Sequence, residues 1–469
     1  MNKNLLATIA LLLVASASIK AQDYARYYEN LPVSMPQVNT PNIPDLTVKL
    51  SDYGAVGDGV TLATDALQKA INDVAKKGGG HVVVEAGIWL TGPITLKDGI
   101  DLHLERNALL AFSPDKAVAM KKDSETGEYK DRAEPGISAS KRHDISISGE
   151  GAIDGNGEWW RPVKRGKVSD VEWKDYTDMG GTVADGGKLW YPFGLKHFAD
   201  IAPTAEKQER MRAHLIRLTD CERVRISGVT VQNSPRFHIV PQRCKDVVID
   251  GVTVRCPWNA QNGDAIDIGN CRNVLIVNNT IDAGDDGICM KGGAGAEGEK
   301  YGPCENILIQ ANTVYHAHGG FVIGSEFSGG MKNIVVRHCL FSGTDTGLRF
   351  KSAVGRGGKT ENIHISHITM SDIRGEAIIF ETTYWDNHVG AKKDAGEKRQ
   401  EYVPDFGDIH ISHVTCRGCK TGIAAHGQEG MIHDVKISDA VFFYTKKGAD
   451  IDDACDVEMK DVRLETFAQ

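Results

Sequence analysis

A short pattern recurs through the C-terminal half of the chain, and self-similarity at a fixed period restricts a fold more than any local propensity. Each copy is a turn residue, two mostly polar residues and then alternating aliphatics. It reads Cys221-Glu222-Arg223-Val224-Arg225-Ile226, then Cys244-Lys245-Asp246-Val247-Val248-Ile249, and recurs from Cys271 and Cys304. Further copies begin at Met331, Thr360, Phe406, Ile432 and Ala454, with spacings of 23, 27, 33, 27, 29, 46, 26 and 22 residues. Asp144-Ile145-Ser146-Ile147 looks like an earlier coil. The alternation marks short strands, and Gly and Asn punctuate the turns. A period of roughly 20–30 residues with several short strands and no helix predicts a parallel β-helix. A β-sandwich is the rival, but it has no need of such regular copies. In a β-helix, coils stack about 4.8 Å apart, so residues at one phase stand above one another.

The stacking rule gives the cysteines a reading. Cys221, Cys244, Cys271 and Cys304 share a phase, which predicts a ladder of buried thiols, although neighbouring rungs could also bridge. Cys416 and Cys419 form an isolated C-x-x-C that either pairs or stays reduced. Near the N-terminus, Ala66, Leu67, Ala70, Ile71 and Val74 have helical spacing, with Thr64 or Asp65 as the expected N-cap and Gly78-Gly79-Gly80 as the stop. A solenoid needs its open end covered, so this helix is expected to be the cap. No Lys-Ser/Thr follows the glycines, which excludes a phosphate loop.

Residues 1–21 combine a short basic start, the apolar run Leu5 to Val14 and small residues up to Ala21, the pattern of a secretory signal and too short to cross a bilayer. Cleavage is expected after Ala21, with Ala15-Ser16-Ala17 as the competing site. That leaves residues 22–469 as one β-helix domain, with a cap over about 48–100 and insertions at about 159–212 and 382–405. The expected location is the periplasm or the outside. Removing Lys3 and Lys20 makes a formal charge of −9 still more negative, which argues against nucleic acid as a partner. Nothing in the sequence calls for a membrane, and a capped solenoid is expected as a monomer. The insertions carry Trp173, Tyr176, Trp190, Tyr191, Tyr384 and Trp385, and long loops on a solenoid often build its binding face.

The candidate chemistry follows from phase. Asp285, His318 and Asp345 each lie 14 residues after a coil start, while Asp264, Lys291 and Lys351 lie 20 after one. Arg349 shares a strand face with Lys351. Asp286 adjoins Asp285, and Asn262 precedes Asp264 by two. Clustered carboxylates repel, so at least one is expected to hold a proton beside ionised neighbours. One acid and one base are what glycosidic hydrolysis requires. His318, Arg349 and Lys351 would be superfluous for a neutral sugar and fit a substrate bearing a carboxylate. Asp285-Asp286 and Asp264 could instead be turn residues, His318 could be structural, and Lys291 could pair with a nearby acid. Clustered carboxylates also bind calcium, but no EF-hand spacing is present.

At these positions the chain resembles the polygalacturonase family of glycoside hydrolases, family 28. The motifs are Asn262-Gly263-Asp264, Asp285-Asp286, a partial match at Ala317-His318-Gly319-Gly320, and Arg349-Phe350-Lys351. Asp52 to Gly59, Ile153 to Gly157 with Trp159-Trp160, and Asn233-Ser234-Pro235 are similar too, so the likeness covers nearly all of the chain after residue 21. The run His318 to Glu326 resembles the exo-acting branch. The resemblance implies a right-handed parallel β-helix and inversion at the anomeric carbon. It makes Asp285 the general acid, has Asp264 and Asp286 hold and activate water, and places His318 beside the acid or the sugar. Arg349 and Lys351 would bind the galacturonate carboxylate, with Asn262 and Lys291 nearby, and no metal or cofactor is expected. The missing glycine before His318, and Phe350 in place of isoleucine, leave the pectic substrate open. The expected partner is an acidic pectic polysaccharide or oligosaccharide. The alternatives are a rhamnogalacturonan-directed hydrolase, a calcium-dependent pectate lyase, and a non-catalytic carbohydrate-binding β-helix.

Overall fold

A computed structural model describes residues 24–120, 125–126, 132–192, 204–384 and 401–467. The expected signal segment, Trp385 and most of the second insertion lie outside the described residues. The chain winds into a right-handed parallel β-helix with three parallel sheets. One sheet runs from Ile94–Thr95 through Ile137–Ser140, Ile216–Thr219, Ile239–Gln242, Ile266–Gly269, Ile288–Lys291, Gly319–Gly324 and Thr346–Lys351 to Glu376–Glu381. The repeat itself forms the second sheet, with Val224, Val247, Val274, Ile307 and Ile334 in register. Inward residues of all three sheets make one continuous core. Where the coils carry aromatics they stack, with Phe350 and Phe380 having ring centroids 4.3 Å apart.

The repeat's third residue explains its composition. Arg223, Asp246, Asn273, Asn306, Asn333, Asn362, Asp408 and Asp434 all have φ between +49° and +59°, the left-handed turn that Asn and Asp tolerate best. Their side chains also bond from coil to coil. Asn306 donates to Asn273 at 3.1 Å, Asn333 to Asn306 at 3.0 Å and Asn362 to Asn333 at 2.8 Å. The first residues of the copies stack as expected. Cys221, Cys244, Cys271 and Cys304 are buried thiols, and all ten cysteines are free, Cys416 and Cys419 included.

The helix Thr64–Lys76 packs on the first coils with Leu67, Ala70, Ile71 and Val74 buried. Its N-cap is Ala63, and neither Thr64 nor Asp65 caps it. Thr64 is already helical, and its hydroxyl accepts from the Gly92 N–H, so it fastens the helix to the next coil. The glycine stop has a steric basis, since a Cβ on Gly80 would lie 2.2 Å from the Leu46 carbonyl oxygen.

One feature had no periodic signal. Residues 24–46 run along the outside of the second sheet as a strap. Tyr24, Tyr27, Val33 and Val38 bury against outward-facing Val248, Leu275, Leu308 and Val335 of successive coils. The Tyr24 hydroxyl donates to Asp250 at 3.1 Å, Arg337 donates to the carbonyls of Tyr27 and Glu29, and Asn39 donates to Asp246. The first insertion folds as a small antiparallel sheet of Val163–Lys164, Thr182–Ala184 and Leu189–Tyr191. Trp190 and Tyr191 are buried in it, so they hold the insertion together rather than face a ligand.

Candidate active site

Outward residues of the first sheet form the floor of a cleft of about 490 Å³. One row along this floor is Arg217, Val240, Asp267, Cys289, Val322 and Arg349, and the next includes Gln242, Gly269, Lys291, Gly324 and Lys351. The turns that enter these strands supply the acids. Asp285, His318 and Asp345 stand in consecutive coils. The His318 N–H donates to the Asp285 carbonyl, and Asp345 N–H bonds back to Ala317. The His318 Nδ1 lies 3.0 Å from Asp285 Oδ1, and its Nε2 lies 3.8 Å from Asp345 Oδ2.

Asp264 departs from the phase expected of it. It precedes Ile266 by two residues as Asp286 precedes Ile288, and those isoleucines are in register. Asp264 therefore stacks on Asp286, not level with Lys291 and Lys351. The turn between Arg255 and Ile266 is longer than that between Asp282 and Ile288, so counting from the coil start overshoots. The outcome still brings Asp264, Asp285 and Asp286 together on the cleft wall.

Lys351 donates to Asp286 Oδ2 at 2.8 Å, and Arg349 lies 3.9 Å from Asp286 Oδ1. Burial alone would raise Asp286, but Lys351 and Arg349 outweigh it and hold the carboxyl below its usual range. Burial would likewise raise Asp285, but His318, Lys351 and Lys167 bring it down. Asp264 goes the other way. Burial and the neighbouring charges of Asp285, Asp267 and Asp286 push it well up, and its Oδ1 is buried with no hydrogen-bond partner. Asn262 also lines the cleft, but its side-chain oxygen is held by Arg212 at 2.9 Å. Lys291 lies in the cleft and sits 3.7 Å from Glu326, so its pairing with a nearby acid is real.

Some groups escaped the sequence reading. Asp267 is a fourth buried carboxyl, raised to about 7 chiefly by burial, with both oxygens unpartnered. Its two neighbours in the row, Val240 and Cys289, are apolar, and that contrast was a signal for it. Lys167 reaches in from the first insertion, 3.3 Å from His318 Nε2. Tyr384, one of the insertion aromatics the sequence singled out, does stand at the site, its ring centroid 5.0 Å from the Lys351 ammonium and 5.1 Å from the Arg349 guanidinium. No signal marked Lys167, since its position depends on how the insertion folds. Asp285, Asp286 and His318 offer three ligand atoms within 4.8 Å of one another, a geometry that could hold a cation. The ammonium and guanidinium groups already paired there compete with one.

The model of Glycosyl hydrolases family 28 matches residues 173–458. The chain belongs to that family. An exo-poly-alpha-D-galacturonosidase of Dickeya chrysanthemi is 29% identical over 353 residues, covering 73% of this chain and 58% of the relative. An endo-polygalacturonase of Pectobacterium carotovorum is 26% identical over 359 residues, covering 75% and 77%. The chain thus spans under two thirds of the length of the first of these relatives. Among solved structures, a hyperthermoactive exopolygalacturonase from Thermotoga maritima superimposes with a TM-score of 0.69 at 28% identity, covering 90% of this chain and 94% of that one.

Proposed function

We propose that this family 28 protein is an exported, inverting hydrolase that removes galacturonate from the end of α-linked galacturonan. The observation that carries the reading is the meeting of Asp264, Asp285 and Asp286 with Arg349 and Lys351 in one cleft. Arg349 and Lys351 receive the sugar carboxylate. Asp285, beside His318, is the general acid for the leaving oxygen. Asp264 and Asp286 hold the attacking water, and Asp286 serves as base because Lys351 keeps it ionised.

In the free protein the cluster's proton rests on the Asp264 side, since the cations near Asp285 favour its ionised form. A substrate carboxylate that engages Lys351 and Lys167 screens those cations from Asp285. The proton then becomes available to Asp285, where leaving-group protonation needs it. The first insertion and Tyr384 stand at the cleft and support exo attack as walls. Names of relatives that act on galacturonan from chain ends or within it support the substrate class. Cleavage after Ala21 would leave Tyr24 in place to anchor the strap.

The test is incubation with polygalacturonate without added calcium, with products followed by chromatography. Galacturonate monomer from the first time point is expected. A ladder of oligomers would remove the exo claim, and ultraviolet-absorbing unsaturated products would replace hydrolysis by elimination. Asp285→Asn should cut turnover by about 10²–10⁴-fold without changing the fold.

A further inference from the structure

Asp285 and Asp286 are each held through the carboxyl, by His318 and Lys351. Asp264 is not. Its Oδ1 is buried without a partner, so its aim depends on its backbone. That backbone lies in the long turn between Arg255 and Ile266, and the buried side chains of Arg212 and His238 brace it. Arg212 donates to the Gln261 carbonyl at 2.9 Å and to Asn262 Oδ1 at 2.9 Å. His238 holds the far end. Its main-chain N–H donates to the Asp264 carbonyl at 2.9 Å, and its Nδ1 reaches the same oxygen at 2.8 Å.

A carbonyl only accepts, so Nδ1 carries the proton. Nε2 in turn accepts from the Ser234 N–H at 3.2 Å, which commits both ring nitrogens. Burial pushes the ring down to about 4, so it is neutral above that pH. The segment Asn233-Ser234-Pro235 seats the ring. Ser234 Oγ donates to the Phe237 carbonyl at 2.9 Å and accepts from the Arg236 N–H at 3.3 Å, which folds the chain back so that His238 meets the Ser234 amide. Buried Arg161 donates to the Ser234 carbonyl at 2.5 Å and to Asn233 Oδ1 at 2.8 Å, fixing that turn from behind. The carbonyl carbon and the Cβ of Asp264 share one Cα. A carbonyl gripped by both donors of one residue therefore fixes the direction in which the carboxyl leaves the turn.

We infer that His238 is a positioning residue for Asp264, aiming through the Asp264 carbonyl the carboxyl that holds the attacking water. The inference rests on the role proposed for Asp264 above. A reacting group displaced by about 1 Å loses about 10²-fold in rate, which sets the scale of the effect.

Initial rates of reducing-end release from polygalacturonate test it. His238→Phe keeps the bulk of the ring and removes both bonds of the imidazole. It should lower kcat about ten- to a hundredfold and leave KM within about twofold. His238→Asn places an amide donor where Nδ1 stands and should recover most of the rate. If His238→Phe does not fold, His238→Gln, whose amide reaches the Nε2 position instead, is read in its place. In an Asp264→Asn background the same substitution should cost no more than about threefold, because the group it aims is already gone. An unchanged kcat, a rise in KM alone, an equal proportional loss in both backgrounds, or His238→Asn as slow as His238→Phe would each overturn the inference and leave the hydrolase intact. A wild-type protein that releases no product, or Asp264→Asn as fast as wild type, would bring down the inference together with the reading beneath it.

Discussion

Replacing Lys351 by methionine keeps the length of the side chain and removes the charge that sits 2.8 Å from Asp286. Both groups are almost wholly buried, so solvent screens the pair little. At an effective dielectric of about 20, that separation corresponds to about 6 kcal/mol of gross attraction. Part of it offsets the cost of burying the charges. Truncating one partner of such a pair costs about 3–5 kcal/mol, and the low end applies here because Arg349 remains 3.9 Å away. The sign follows from the direction of its shift. In the wild type its pKa is depressed, so the ionised base persists as pH falls through the usual carboxylate range. Without Lys351 it protonates sooner, and the acidic limb of kcat/KM should move to higher pH. The assay is reducing-end release from polygalacturonate across a pH series, with Lys351→Arg as the charge-keeping control. Lower activity throughout with an unmoved acidic limb would refute the assignment of Asp286 as base and leave Lys351 as a substrate contact only.

Two further outcomes are expected. Asp267 has a folded pKa of about 7 against an ordinary carboxylate value unfolded, so its buried charge weighs on the fold above that pH and is relieved as pH falls toward 4. Thermal unfolding should show a more stable protein at pH 5 than at pH 8, and Asp267→Asn should reduce the difference by about 2 kcal/mol; an identical slope would place the titration elsewhere. Tyr24→Phe removes the bond to Asp250 and should cost about 1 kcal/mol, while Tyr24→Ala also uncovers apolar surface and should cost about 3 kcal/mol, both read by denaturant titration.

What could be read from sequence was whatever repeats with constant turn lengths. Asp285, His318 and Asp345 follow equal stretches from their coil starts, so counting placed them in one column. Asp264 follows a longer turn, and counting put it at the wrong height although in the right cleft. The asparagines were visible as punctuation, but their left-handed backbone and mutual bonds were not. Trp190 and Tyr191 show the limit for insertions, because a loop long enough to have its own core hides which aromatics face outward. The strap left only an indirect trace. Val248, Leu275, Leu308 and Val335 are aliphatic at outward positions where an uncovered sheet would carry polar residues.

The strap also changes how the molecule should come apart. In a bare solenoid each coil touches only its neighbours, so unfolding can begin at an end and travel rung by rung. Residues 24–46 tie the coil of Arg337 to those of Asp246 and Asp144, bridging rungs that otherwise never meet. Losing any one of them removes part of the strap's hold and so weakens its cover over the rest, which couples the middle of the molecule into a more cooperative block. It also sets an order of assembly, for the earliest segment of this chain can settle only after the coil holding Arg337, some three hundred residues later, has been built.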